Sequence, residues 1–507
     1  MRIPLTSYPG MNRFVLDWLA GDERFLKRES GVGSHASGAP GSNTRPVTSD
    51  LLSALDASNR HWGIFAKEEL ERWADGKTIT IVAGQQVGFA GGPLYTLAKI
   101  ASLMRFKRDM EKQGLPVTAF FWLATEDHDF SEVATLNVPV STLRPGADVN
   151  RQIDLLCIRA VRGADSRAVV GPLPVPEAMV SQLLAVMDIP RPAWLREGIS
   201  LRDAFAELVA SICGNEIILV DALLPELRRA GQPLFDQIRS KEAEIQRALA
   251  YRGSELEQAG YREQVVPREG SEYSLLFGID DHGNRQPLAD DPPPERISTS
   301  ALTRPLLQDF VLQPDVFFGG PAEVSYYAQI APLHEMLGVR MPRVALRGHV
   351  LIAPKRVARA FDRYGIDPAE VFRTPDAILA AHEAEGVARV HEVVEQGRRE
   401  LLERIGEIGE LALPADHSLA GSIQRSVGHL EFHFNKLAER AIKGLVRKDR
   451  ERHAALRDLV STLFPDGHVQ DRVVSWFAYW CVYGDQLVER VLEEVEPDSA
   501  FFKIAVL

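Results

Sequence analysis

Four consecutive residues, Glu126-Asp127-His128-Asp129, carry the densest chemistry in the chain. They follow an apolar aromatic run, Phe120-Phe121-Trp122-Leu123. Three carboxylates and an imidazole in four residues repel and desolvate one another, a cost that a purely structural turn has little reason to carry. In extended backbone Asp127 and Asp129 share one face and His128 takes the other. The aspartates then suit a polar substrate or Mg2+, and the imidazole suits acid–base work or phosphate contact. The structural alternative is a solvated turn that caps the next helix through Asp129 or Ser131. A metal hydrolase would also use such a cluster, but no second His-rich cluster accompanies it.

A second chemical stretch is "TITIVAGQQVGFAGGPLYTLAK", Thr78 to Lys99. Its glycines, Gly84, Gly91 and Gly92, let backbone approach a nucleotide or phosphate. Gln85, Gln86 and Thr96 add side-chain hydrogen bonds, and Lys99, one helical turn beyond Tyr95, adds charge. Neither GxGxxG nor the Walker pattern is present, so an ordinary strand-to-helix loop stands as the alternative. A third stretch, "GGPAEVSYYAQ" from Gly319, offers Glu323, Tyr326, Tyr327 and Gln329 near a helix start. That set suits a polar small molecule such as a sugar, although paired tyrosines are commonly core aromatics. Arg304, Arg343, Arg347, Lys355 and Arg356 are scattered cations able to neutralise phosphates.

These groups need elements to hold them. Thr78 to Val82 is a β-branched strand, and Leu94, Leu97, Ile100 and Leu103 recur at helical spacing after the glycines. Strand, Gly-rich turn and helix together aim N–H groups at an anion. With the Phe120 strand they make a βαβ unit of the length a parallel crossover needs. "NEIILVDALLPELR", Asn215 to Arg228, is strand-to-helix again, and residues 229 to 258 continue as helix. Ser274 to Leu288 reads as a hairpin turning at Asp281-His282-Gly283-Asn284. Strand–Gly-Gly-Pro–helix occurs twice, at Gly91 and at Gly319. Ligands bind beyond the carboxyl ends of strands in open α/β sheets, which is where these motifs sit.

The predicted organisation is an N-terminal helical segment (1–75), a Rossmann-like α/β core (76–370) with insertions near 134–215 and 222–300, a helical hairpin (375–462), and a C-terminal helical segment (463–507) packed on the core. Ser30 to Pro46 is a loop by composition. The hairpin is read from two stripes, Val387 to Ile408 and Leu419 to Ala441, flanking Leu413-Pro414-Ala415-Asp416. It either makes an oligomer contact or folds back on its own core.

At 507 residues the chain is long enough for several domains. A net charge of −12 argues against a nucleic-acid partner. No stretch has membrane-helix length and the start lacks a signal-peptide core, so a cytoplasmic location is expected. Three scattered cysteines, Cys157, Cys213 and Cys481, fit a reducing compartment and offer neither a zinc ribbon nor a marked nucleophile.

Four motifs in order, "AGQQVGFAGGPLYTLAKI", "FFWLATEDHDFSEV", "FFGGPAEVSYYAQIAPLHEMLGVRMPRV" and "LFPDGHVQDRV", resemble the cysteine ligase family of bacillithiol biosynthesis, BshC. The resemblance implies a Rossmann-like parallel-sheet core related to class I aminoacyl-tRNA synthetases, with an antiparallel coiled coil that makes a homodimer. It implies joining L-cysteine to the amine of glucosaminyl-malate, with ATP and Mg2+ activating the cysteine carboxylate as an acyl-adenylate. Gly91 to Tyr95 stands where such relatives carry a HIGH-type motif, without its histidine, and no KMSKS-like loop is present. On this basis His128, Asp127 and Asp129 are expected to be catalytic. Gly84, Gln85, Gln86, Gly91, Gly92, Pro93, Tyr95, Thr96 and Lys99 are expected to bind nucleotide. Trp122, Glu126, Glu323, Tyr326 and Gln329 are expected to bind substrate, and no metal ligands are assigned. The alternative class is a nucleotide-binding scaffold with a regulatory pocket and a coiled-coil arm.

Overall fold

The structure, a computed structural model, describes residues 1–28, 47–139, 155–160, 167–267, 271–382, 386–412, 414, 416, 419–446 and 450–507. The Ser30–Pro46 loop lies outside them, as do Leu413 and Ala415 of the proline break. The chain divides into two compact units, one of residues 1–147, 151–353 and 468–507, the other of 148–150 and 354–467.

The first unit is built on five parallel strands. The β-branched run extends to Ile79–Gln85 and pairs with Val117–Leu123, which pairs with Ile218–Asp221. On its other side lie Val316–Gly319 and then Arg343–Leu346. Every residue of Val117–Leu123 is buried, as expected of a strand covered on both faces. Successive strands are first added on one side of Ile79–Gln85 and then on the other. The order therefore reverses between Ile79–Gln85 and Val316–Gly319. A crevice opens at such a reversal, beyond the carboxyl ends of the two strands. The two Gly-Gly-Pro turns thus follow neighbouring strands.

The C-terminal segment is helical only in part. Gln470–Val473, Trp476–Tyr483 and Asp485–Glu494 are helices, but Phe501–Val506 is a strand. It pairs antiparallel with Arg2–Pro4 and parallel with His349–Ala353. The first and last residues of the chain therefore share a sheet. Nothing local announces a three-residue strand whose partner lies 500 positions away. A further three-stranded sheet joins Leu276–Ile279 to Arg285–Gln286, as the predicted hairpin, and to Ile297–Thr299.

In the second unit, helices Gly386–Ala412 and Ala420–Val446 lie antiparallel. Arg398 Nη1 meets Glu431 Oε1 at 3.1 Å, and Gly397 faces the Phe434 ring. Val393, Ile408, Leu411, Phe432 and Leu437 nonetheless stay exposed on this hairpin.

Candidate active site

Beyond the strand ends lies a cavity of about 1610 Å3 in the first unit. Its wall carries Gly84, Gln85, Gln86, Tyr95, Lys99, Glu126, Asp127, His128, Glu323 and Tyr326 among the residues expected from sequence. Lys99 ties the two Gly-Gly-Pro loops together. Its Nζ donates to the Gly84 carbonyl at 2.7 Å and to Gln85 Oε1 at 2.9 Å, and it ion-pairs with Glu323 of the second loop. Burial pulls the lysine below its ordinary pKa, against the pull of Glu323. Three acceptors satisfy its three N–H groups, so Lys99 is a loop fastener rather than a cation free to meet phosphate.

The acidic cluster is not extended. The strand ends at Leu123, and Asp127 closes a turn by accepting from the His128 backbone N–H at 2.6 Å, the Asp129 N–H at 3.2 Å and Gln86 Nε2 at 2.6 Å. Burial opposes ionisation of Asp127, but the His128 side chain, with Nδ1 3.5 Å from Oδ1, joins Gln86 and the two backbone N–H groups to outweigh it and hold the carboxyl well below its ordinary range. Asp129 caps helix Phe130–Val133 through the Glu132 N–H at 3.1 Å and is not among the residues of the cavity wall. Glu132 does line the cavity and, although exposed to solvent, has its carboxyl raised above the ordinary value of 4.5 by partial desolvation.

Glu126 has a heavily committed carboxylate. It accepts from Arg228 Nη2 at 2.6 Å, Ser298 Oγ at 3.0 Å, the Thr299 N–H at 2.8 Å and Thr299 Oγ1 at 2.6 Å. Burial pushes it up, and Arg228 and Thr299 together bring it below its ordinary value. It stitches the core sheet to the Ile297–Thr299 strand.

Other expected residues lie off the wall. Gly91, at φ 82°, makes room for Trp476, whose Nε1 donates to its carbonyl at 2.9 Å, and a Cβ there would sit 2.4 Å from the indole. The start of helix Leu94–Glu111 is covered rather than open: the Leu94 N–H donates to the Val474 carbonyl at 2.8 Å, and Pro93 bridges to Ser475. Gly91 and Pro93 are therefore taken up by packing against residues 474–476, while Gly92 and Thr96 are not among the residues of the cavity wall. Trp122 is fully buried in its strand. Gln329 is also buried, its amide donating to the Val265 carbonyl at 2.7 Å. Arg343 pairs with Asp498, and Arg356 with Asp458.

The cavity wall carries two of the scattered cations, Arg304 and Arg347, and gains Arg285, which the sequence motifs did not single out. Arg285 donates from Nη2 to the Thr299 carbonyl at 2.6 Å and from Nη1 to His128 Nδ1 at 3.0 Å, over the Phe277 ring. Nδ1 lies between this guanidinium, which can only donate, and Asp127 Oδ1 at 3.5 Å, which can only accept, so the two contacts call for opposite tautomers of His128. Among the described residues Arg285 Nε has no partner, and burial lowers the guanidinium's pKa. Arg304 donates to the Tyr326 hydroxyl at 2.5 Å. Among the described residues neither arginine has a carboxylate within 4.0 Å. In the sequence Arg285 was only a turn-flanking residue; its signal was its place at the return strand of a hairpin.

The fold and site define a Rossmann-like α/β protein with a mixed-charge small-molecule cavity at the sheet's reversal point, followed by a helical coiled coil. Residues 37–292 and 289–348 match the family described as "Bacillithiol biosynthesis BshC, N-terminal Rossmann-like domain", and 350–507 match its "C-terminal coiled-coil domain". A relative from Koribacter versatilis, named "Putative cysteine ligase BshC", is 30% identical over 97% of both chains. Relatives of the same name from Solibacter usitatus and Salinibacter ruber are each 27% identical, covering 90% and 97% of this chain and 89% and 93% of theirs. A solved Campylobacter jejuni structure titled "putative arginyl t-RNA synthetase" covers 86% of this chain and 97% of that one, with a TM-score of 0.23, too low to carry an argument. The chain belongs to the BshC family of bacillithiol biosynthesis. No helix among the described residues is long and apolar enough to cross a membrane.

Proposed function

We propose that this chain is a ligase that forms the amide between the carboxyl of L-cysteine and the amine of glucosaminyl-malate, giving bacillithiol, in the cytoplasm and with ATP as activating co-substrate. The observation that carries this reading is the pair Arg285 and Arg304. Two guanidinium groups on a cavity wall without carboxylate partners favour an anionic ligand, and malate brings two carboxylates. The amine nitrogen attacks the activated cysteinyl carbon, the C–N bond forms, and the leaving group departs with its electron pair. With Nδ1 accepting from Arg285, the His128 Nε2–H is the donor for oxygen charge that develops there, and the Glu132 carboxylate on the same cavity wall takes up the amine proton. The described residues do not make a resident Mg2+ site. Glu126 and Asp127 are saturated by donors, and among the described residues no group of three or more His, Cys, Asp or Glu is placed to hold a metal. Mg2+ therefore enters with the nucleotide as substrate, and no step is routed through it.

The test is a mass-spectrometric assay with L-cysteine, glucosaminyl-malate and ATP-Mg2+, each omitted in turn. Bacillithiol that appears only with ATP, with AMP and pyrophosphate, supports the reading in full. Product without ATP overturns the activation step, and no product from folded protein overturns the ligase in favour of a scaffold. His128→Ala is expected to lower kcat by about 100-fold or more while the fold persists. The exposed apolar residues of the hairpin support a homodimer through it. Sedimentation velocity is expected to show a dimer that Leu411→Glu with Leu437→Glu converts to monomer; a wild-type monomer would sink this assignment.

A further inference from the structure

The cavity wall holds one more cluster, unused in the chemistry above. Arg347 follows strand Arg343–Leu346, His349 opens strand His349–Ala353, and Asp471 lies in helix Gln470–Val473. The Gln470 side chain fixes that helix to the strand, accepting from the Ile352 N–H at 2.6 Å and donating to the Ile352 carbonyl at 2.9 Å. Arg347 Nη2 donates to Asp471 Oδ2 at 2.8 Å, and Nη1 to His349 Nδ1 at 3.3 Å. Nδ1 also lies 3.4 Å from Asp471 Oδ2; in the tautomer in which it accepts from Arg347, the His349 proton is on Nε2. Burial, with help from Arg347, brings the imidazole down to about 4, so it is neutral at physiological pH.

In that tautomer His349 Nε2 and Asp471 Oδ1 are a donor and an acceptor, neither with a partner among the described residues. Both residues line the cavity, yet are only 2% and 1% exposed. Unpartnered buried polar atoms are rare and ask for a partner from outside the chain. A donor beside an acceptor complements a group that both accepts and donates, which is a hydroxyl. The Tyr95 ring, 5.6 Å from the Arg347 guanidinium carbon, adds an aromatic surface on the same wall.

We propose that Arg347, His349 and Asp471 form the subsite for the hydroxyl-bearing ring of the amino-sugar acceptor, with His349 Nε2–H donating to a ring hydroxyl and Asp471 Oδ1 accepting from one. Arg347 positions both. This rests on the acceptor being glucosaminyl-malate, and it adds which residues read the sugar.

The test compares glucosaminyl-malate with its 3-deoxy and 4-deoxy analogues in steady-state kinetics. Wild-type protein is expected to prefer the full sugar over at least one analogue by about 10–100-fold in kcat/KM. His349→Phe is expected to raise the acceptor KM by a similar factor, leave the cysteine KM unchanged, and abolish the preference. His349→Gln, which keeps a donor, is expected to retain most of it. Asp471→Asn gives an independent arm should the Phe variant fail to fold, and is expected to weaken the preference likewise. Wild-type turnover with no preference between the sugars, or a preference that survives both variants, overturns the subsite and leaves the ligase standing. Absence of wild-type turnover with glucosaminyl-malate overturns the acceptor reading and the subsite with it.

Discussion

Arg285→Met raises the KM for glucosaminyl-malate by about 100-fold and leaves the resting protein as stable as before, or more so. The two halves of this result share one cause. Arg285 is 9% exposed, stacks on Phe277, and has no carboxylate within ion-pairing distance among the described residues. Burying a guanidinium without a counter-charge is unfavourable, so a methionine of similar volume relieves the free protein. An anionic substrate is what compensates the charge, and a charge-assisted contact is worth roughly 2–3 kcal/mol, close to a factor of 100. Because Arg285 also holds His128, kcat falls as well. Arg304→Met is the cleaner variant for binding, since its partner within the protein is the Tyr326 phenol. Steady-state kinetics on both variants, with thermal melts of the substrate-free protein, check the claim. An unchanged acceptor KM in both, or a marked loss of stability in Arg285→Met, would refute it.

Glu126→Ala has the opposite signature. It lowers folding stability by about 4 kcal/mol, whatever it does to activity. Arg228 is fully buried, and its Nε and Nη1 are already unpartnered, so Glu126 is what compensates its charge. Arg228→Met is milder, at about 2–3 kcal/mol, because Ser298 and Thr299 still donate to the carboxylate it abandons. The double variant is expected to be no less stable than Glu126→Ala alone, since the orphaned cation is gone. Denaturant unfolding of the three proteins decides this; a Glu126→Ala cost below about 1 kcal/mol contradicts it. The pH sign follows from the carboxyl being held below its ordinary value of 4.5 in the fold. Its contribution is complete above that value and is lost as pH falls below it.

The two variants separate residues that look alike in sequence. Glu126 and Asp127 are adjacent acids, yet one is saturated inside the protein and the other shapes the turn that presents His128. Lys99 reads as a phosphate cation, but the second Gly-Gly-Pro loop brings Glu323 against it. Gly91 and Trp476 are 385 positions apart, so no local pattern could reveal that the glycine admits an indole.

What the sequence by itself determined is local in physical origin. Side-chain periodicity marked the buried strands Ile79–Gln85 and Val117–Leu123, the helix Leu94–Glu111 between them and the two hairpin helices, because each pattern repeats within a few residues. The motifs located the carboxyl ends of strands as the place of the chemistry, and they marked the family. The tertiary structure alone decided which polar groups remain available to a ligand. That depends on which partners arrive from distant segments: Val474 on the helix start, Arg228 on Glu126, Arg285 beside His128, and Asp471 against Arg347. A charge is functional or structural according to whether the fold already compensates it, and compensation is a property of space rather than of sequence spacing.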